Sequence, residues 1–187
     1  MAGAANVKFL PTSIDGVFVI DLEAIEDHRG FFARLWSATD FAAAGVDADW
    51  VQCNVGHSTA AGTIRGLHYQ TGSSAEAKLV WCGAGGFFDV AVDLRAGSST
   101  RFEWVGVELT STNRRALFLP PGTAHGYQTL VPDTDLWYLT SRPYDANAAT
   151  GARWDDPAFG IRWPQPPGPM SDQDAGWPLQ TLGSEES

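Results

Sequence analysis

The sequence predicts an all-β protein, a sandwich or barrel with only a few short helices. Short runs rich in β-branched and aromatic residues recur at intervals of about ten residues, separated by Gly, Pro, Asn and Asp. Polar and apolar side chains alternate along residues 87–94, as they do in a strand with one buried face. The predicted strands span residues 17–22, 50–57, 77–82, 86–94, 102–109, 115–119, 126–130 and 135–141.

The remaining elements follow from local signals. Residues 32–44 are the best helical candidate, ended by Gly45. The glycines at 83–86 precede a strand rather than a helix, so they predict a hairpin turn and not a dinucleotide-binding loop. Residues 120–122 predict a turn that places His125 just inside the next strand. We expect a single domain over residues 1–187, with a Pro/Gly/Ser-rich tail at 165–187 that is disordered from 183.

Composition excludes several classes of function. The formal net charge of −10 argues against a nucleic-acid partner. The chain has two cysteines and no CxxC pair, so the sequence predicts neither a disulfide framework nor a structural zinc site. The sequence shows no signal peptide and no apolar run of about 18 residues, so we expect a cytoplasmic protein with no membrane partner.

Residues 62–70, Gly-Thr-Ile-Arg-Gly-Leu-His-Tyr-Gln, are the most informative stretch of the chain. In a regular strand Arg65 and His68 would point to opposite faces, so a bend or bulge at Gly66 is needed to bring both into one pocket. A base beside a guanidinium suits a substrate with an acidic C–H at one end and phosphate at the other. The alternative is a buried structural histidine beside a surface arginine.

Taken singly, other polar residues are explained by ordinary structural positions. Lys78 at the start of a strand would face solvent, and Tyr138 in an apolar strand would belong to the core. His68 and His125 are candidate metal ligands, but a facial site needs about three ligands and the His-x-His pattern is missing. We therefore expect no metal.

Taken together, the segments resemble the dTDP-4-dehydrorhamnose 3,5-epimerase family from about residue 16 to residue 178. The resemblance implies a cupin-type double-stranded β-helix (jelly roll), a homodimer, a nucleotide-sugar substrate and no cofactor. Residues 7–22 are expected to pair with the partner's sheet, since an exposed apolar edge would be a liability. The resemblance rests on DHRGFF at 27–32, QCN at 52–54, RGLHYQ at 65–70, Lys78, residues 88–104, PPGTAHGYQTL at 120–130, Tyr138, residues 154–164 and SDQD at 171–174.

The same resemblance implies a role for each matching residue. His68 matches the base that removes protons beside the C4 ketone of the sugar, and Asp174 the carboxylate that orients its ring. Lys78 would hold the enolate oxygen, and Tyr138 would return a proton from the opposite face. The substrate-binding matches are Arg29 and Arg65 at the diphosphate, Gln52 and Asn54 near the nucleotide, and Asp89 and His125 around the sugar.

The sequence departs from the family pattern at the nucleotide end. Arg34, Ala149 and Gln173 stand where many members have Glu, Glu and Lys, and the stretch between Asn54 and His68 is one residue longer. The expected consequence is looser selectivity for the base. Inversion at C3, at C5 or at both remains open, as do a 3,4-ketoisomerase and, outside catalysis, a sugar-nucleotide binding module.

Overall fold

The computed structural model describes residues 7–46 and 49–180. Within them the chain is mainly strands, as the sequence predicted, with two short helices, α1 (Ala38–Ala43) and α2 (Asp172–Gly176). A 3-10 turn spans Gly72–Ser74. The strands are β1 (Val7–Pro11), β2 (Phe18–Leu22), β3 (Ile25–Asp27), β4 (Gly30–Phe32), β5 (Gln52–Ser58), β6 (Ile64–Gln70), β7 (Lys78–Ala84), β8 (Gly86–Asp93), β9 (Trp104–Thr110), β10 (Arg115–Leu119), β11 (Thr123–Thr129), β12 (Thr134–Thr140) and β13 (Ala149–Gly151).

Two antiparallel sheets face each other and form the predicted jelly roll. One has six strands in the order β1-β2-β10-β7-β12-β5, and the other has five in the order β13-β6-β11-β8-β9. An apolar core that includes Val80, Phe87, Leu117 and Leu136 fills part of the space between them. The β5–β12 end of the larger sheet and the β6–β11 part of the smaller one enclose a polar cavity instead. No helix of the described residues is long and apolar enough to cross a membrane.

Both sheets are also covered on their outer faces. Phe41 of α1 packs on the six-stranded sheet with Ile20, Leu79 and Phe118. Residues from Ala152 to Trp163 cover the five-stranded sheet, where Phe159 is buried. The C-terminal stretch up to residue 180 therefore lies against the body of the protein, whereas the expected disorder at 183–187 falls outside the described residues.

The structure corrects two local expectations and leaves a third untested. The helix predicted at 32–44 is only α1, because Ser37 caps it by accepting a hydrogen bond from Asp40 N, while Phe32 pairs with Ile25 in the β3–β4 hairpin. The glycine-rich turn at 83–86 joins strands of different sheets and is not a hairpin, although β8 does follow it. Residues 7–11 pair with residues 18–22 of their own chain, and β1 is an edge strand of the six-stranded sheet, so the expected pairing of this region with a partner's sheet stays a prediction.

Asp93 at the end of β8 anchors the loop before β9. Its fully buried carboxylate accepts hydrogen bonds from Arg95 N, Nε and Nη2, Ser98 Oγ and Thr100 Oγ1 at 2.6–3.0 Å. Burial alone would raise the pKa of Asp93, but these donors outweigh it and hold that pKa well below its ordinary value. The carboxylate therefore stabilises the folded state at neutral pH.

Replacing Asp93 with Asn should lower the free energy of unfolding at pH 7 by about 2–4 kcal/mol, because buried donors lose an ionised acceptor. The pKa of Asp93 is depressed on folding, so its contribution is complete above the unfolded-state pKa of about 3.9 and is lost as pH falls below it. Urea unfolding at pH 7 and pH 3.5 should show a smaller difference between variant and wild type at pH 3.5. Asp155→Asn, at a solvent-exposed pair with Arg153, is the control and should change little.

Candidate active site

A cavity of about 470 Å³ lies between the two sheets. Strands β5, β7 and β12 of the larger sheet supply one wall, and β6 and β11 of the smaller sheet supply the other. Gln173 and Trp177, in and next to α2, line it from the C-terminal stretch. Its lining includes the charged or ionisable side chains of His68, Glu76 and Lys78, so the cavity is suited to a polar ligand.

The predicted irregularity at Gly66 is confirmed and brings Arg65 and His68 to the same cavity. In the β6–β11 pairing His68 is opposite His125 and Arg65 is opposite Tyr127, so β6 has one extra residue between the pairs. Gly66 has φ +124°, and a Cβ there would lie 2.5 Å from the Cα of Gly126. Only glycine fits this crossing, and both side chains line the cavity as a result.

His68 and Asp174 form a hydrogen-bonded pair across the cavity wall. His68 Nε2 lies 2.5 Å from Asp174 Oδ1, and Trp177 Nε1 donates to the same oxygen at 3.3 Å. Burial acts to raise the pKa of Asp174, but the bonds from His68, Ser171 and Trp177 prevail and lower it. An ionised Asp174 fixes the imidazole and leaves Nδ1 as the nitrogen that can accept a proton.

Lys78 does not face solvent. Its side chain is 8% exposed, and its Nζ lies 3.0 Å from both Glu76 Oε1 and the carbonyl oxygen of His68. The ammonium thus lies within the cavity, next to the backbone of the histidine. No motif in the sequence marks Glu76, although its position two residues before Lys78 in an extended segment would place both side chains on one face.

His125 and Asp89 form a second, more buried pair in the smaller sheet. His125 Nε2 lies 2.7 Å from Asp89 Oδ1, and Asp89 is fully buried. Burial raises the pKa of Asp89 although His125 and Lys78 both favour its charged form. Asp89 Oδ2 has no hydrogen-bond partner among the described residues.

Tyr138 projects into the cavity from β12, in the sheet opposite the one that carries His68. Burial raises the pKa of Tyr138, and Tyr127 and Glu76 raise it further. The phenol therefore keeps its proton at neutral pH and is able to donate it. The interpretation of Tyr138 as an ordinary core residue is incomplete, since the ring packs on the core and also lines the cavity.

The β5 side of the cavity contains the residues expected near a nucleotide. Gln52 Nε2 donates to Asn54 Oδ1 at 2.8 Å, and Gln52 Oε1 accepts from Tyr144 N at 3.3 Å. Asn54 Nδ2 is buried and has no partner among the described residues. Tyr144, Arg142 and Trp177 also line the cavity, and no motif in the sequence had marked them.

Arg29 is the predicted site residue that this chain does not bring to the cavity. It lies in the turn between β3 and β4, its side chain is 78% exposed, and its Nη2 lies 2.5 Å from Asp27 Oδ2. Of the three departures from the family pattern, Ala149 and Gln173 line the cavity, while Arg34 forms an ion pair with Asp40 away from it.

The donor set does not resemble a metal centre. Over residues 7–46 and 49–180, no three or more His, Cys, Asp or Glu side chains are placed to hold a metal ion. The electrophile available beside His68 and His125 is the ammonium of Lys78.

Comparison with known proteins identifies close relatives along almost the whole chain. The sequence profile of the family described as dTDP-4-dehydrorhamnose 3,5-epimerase matches residues 11–181. The dTDP-4-dehydrorhamnose 3,5-epimerase of Sinorhizobium fredii is 42% identical over 160 residues, covering 86% of this chain and 82% of that protein.

Solved structures of such enzymes have the same fold. The Bacillus anthracis dTDP-4-dehydrorhamnose 3,5-epimerase, with TDP and PPi bound, superposes with a TM-score of 0.91 at 37% identity, covering 94% of this chain and all of that one. The Legionella pneumophila dTDP-6-deoxy-D-glucose-3,5-epimerase, in complex with dTDP-4-keto-L-rhamnose, gives a TM-score of 0.88 at 35% identity, with 93% of each chain covered.

Proposed function

Because the chain belongs to the dTDP-4-dehydrorhamnose 3,5-epimerase family and is an isomerase of nucleotide-linked 4-keto-6-deoxy sugars, we propose that its cavity performs this reaction with the residues assembled there. The proposed substrate is a dTDP-4-keto-6-deoxyhexose. Its ketone at C4 acidifies the C–H bonds at C3 and C5 and accepts the electrons released on deprotonation. No cofactor is required for that step.

His68 is the proposed base. Asp174 holds its Nε2, so Nδ1 takes the proton from the substrate carbon, and the carboxylate stabilises the imidazolium that forms. The electron pair of the broken C–H bond moves into the C3–C4 or C4–C5 bond, and the ketone oxygen becomes an enolate oxygen. Lys78 stabilises that oxygen with a fixed positive charge where negative charge develops.

Tyr138 is the proposed acid. The enolate regains a proton at the same carbon from the phenol, on the face opposite the base, and the configuration of that carbon is inverted. The observation that carries this proposal is the position of base and acid on two facing sheets of one cavity. A 3,4-ketoisomerase would not need an acid on the wall opposite its base.

Solvent exchange tests the proposed function. The protein is incubated with dTDP-4-keto-6-deoxyglucose in D₂O, and deuterium at C3 and C5 is counted by NMR and mass spectrometry. We expect incorporation at one or both carbons together with epimerised product, and the carbon that is labelled answers which centre is inverted. A pure binding module would give neither signal, and a ketoisomerase would move the carbonyl.

Arg65, Gln52 and Asn54 are proposed to hold the diphosphate and nucleotide, with Asp89 and His125 around the sugar. Arg29 would bind the diphosphate together with Arg65 only if a second copy of the chain supplied it. The β3–β4 hairpin that carries Arg29 exposes Phe31 and Phe32 at 58% and 63%. We therefore propose a homodimer in which this hairpin reaches the partner's cavity, because exposed neighbouring aromatics are typical of a binding surface.

Mixing two impaired variants tests this assembly. Arg29→Ala and His68→Asn protomers should each be nearly inactive at low substrate concentration. After unfolding and refolding together, half of the sites in a mixed dimer would combine the intact His68 of one chain with the intact Arg29 of the other. About a quarter of the wild-type activity should return. A light-scattering mass of one chain, or no recovery on mixing, would contradict the shared site.

A further inference from the structure

Glu76 is a buried carboxylate of the cavity to which the proposed mechanism assigns no role. Its side chain is 5% exposed, and its Oε1 lies 3.0 Å from Lys78 Nζ. Burying a carboxylate is costly unless it is paired and hydrogen-bonded on both oxygens. The cavity therefore contains a pair of opposite charges, Glu76 and Lys78, rather than a single ammonium, and the presence of the carboxylate needs an explanation.

A chain of hydrogen bonds fixes the orientation and charge of Glu76. The backbone N–H of Asp145 donates to Gln70 Oε1 at 2.6 Å, which turns the amide nitrogen of Gln70 toward Glu76. That nitrogen donates to Glu76 Oε2 at 3.0 Å. Both neighbours of Glu76, the Gln70 amide nitrogen and the Lys78 ammonium, act only as donors, so the carboxyl group must accept on both oxygens, as the ionised form does.

The same contacts restrict Lys78. An ammonium has three N–H donors. Glu76 Oε1 and the carbonyl oxygen of His68 take two of them, which leaves one for a ligand. A lysine side chain is otherwise flexible, and its ammonium group can rotate. Because two of the three N–H groups are held by these hydrogen bonds, the direction of the third is fixed as well.

We propose that Glu76 is a positioning residue for proton abstraction: it holds the Lys78 ammonium so that its remaining N–H meets the developing enolate oxygen. This inference rests on the proposed function of the site. Glu76 acts through Lys78 and does not contact the substrate. Stabilisation of an oxyanion depends on donors that are already in place when charge develops, so a loosened ammonium should slow enolate formation more than it weakens binding.

The test measures deuterium incorporation, kcat, KM and affinity for dTDP in Glu76→Gln. This variant keeps the size of the side chain and removes its charge. It also places an amide nitrogen opposite the amide nitrogen of Gln70, so that two hydrogen-bond donors face each other. We expect deuterium incorporation and kcat to fall by about 10–100-fold. The dTDP affinity and KM should change by less than about twofold, since Gln52, Asn54 and Arg65 are untouched.

Two further variants complete the design. Glu76→Asp keeps the charge on a side chain that is one methylene shorter, so the carboxylate lies farther from Lys78. Its kcat should lie between those of Glu76→Gln and wild type. Glu108→Gln removes an exposed glutamate on β9 and should match wild type. If Glu76→Gln fails to fold, Glu76→Asp decides alone: a reduced kcat with unchanged dTDP affinity supports the proposal.

A wild-type rate in Glu76→Gln, or in Glu76→Asp, would overturn the positioning role. So would a loss of rate that is accompanied by an equal loss of dTDP affinity and a lowered Tm, because that pattern indicates a merely structural residue. If the wild-type protein itself incorporated no deuterium, the proposed function would fail instead, so the two failures are distinguishable.

Discussion

Replacing His68 with Asn should abolish deuterium incorporation at every carbon that the wild-type protein labels, with a loss of about 10²–10⁴-fold. The shorter asparagine amide ends near the position of the imidazole Nδ1 and does not replace Nε2, but Trp177 Nε1 still donates to Asp174 Oδ1. What is lost is the nitrogen proposed to accept the substrate proton. The measurement is the initial rate of exchange in D₂O, with Tm recorded to show that the fold persists.

His57→Asn is the matched control for His68→Asn. The ring of His57 bonds Asp135 at 2.7 Å on the outer side of β5, away from the cavity. Its removal should leave exchange unchanged. If His68→Asn retained more than about a tenth of the wild-type rate, another base would have to be found.

Replacing Tyr138 with Phe should separate proton abstraction from inversion. The phenyl ring keeps its packing against the core, and only the hydroxyl is removed. His68 can still take the proton and can return a deuteron from the same face, so label should enter unepimerised substrate. We expect the ratio of epimerised product to exchanged substrate to fall at least about tenfold.

A control for Tyr138→Phe is Thr112→Val, which also removes one hydroxyl. Thr112 lies in the exposed turn between β9 and β10, away from the cavity. Thr112→Val should leave the ratio of product to exchange unaltered. Equal losses of exchange and product in Tyr138→Phe would show that one group, and not two on opposite walls, handles both proton transfers.

The strands were predictable because their signal is local. Alternation and turn residues mark β8 and β10, and the sequence located both to within one residue. The helix expected at 32–44 was wrong at its start, because pairing of Phe32 with Ile25 competes with helix formation there. Strands of three residues such as β3, β4 and β13 carry too few side chains to show a period.

The sequence predicted which residues meet at the cavity better than it predicted how they are arranged there. The bulge at Gly66 followed from the requirement that Arg65 and His68 share one pocket. The burial of Lys78 did not follow, because it depends on Glu76 and on the backbone of His68 ten residues away. Arg29 depends on the position of an exposed hairpin, and no pattern within one chain specifies what that hairpin meets.

The hydrogen bond between His68 and Asp174 spans 106 residues of sequence, and Asp174 comes after the last strand. During synthesis the ribosome therefore makes every strand of both sheets before it makes the residue that orients the base. A chain that has formed its strands but not α2 has His68 without its carboxylate partner, so the proposed dyad is completed only when α2 docks against β6.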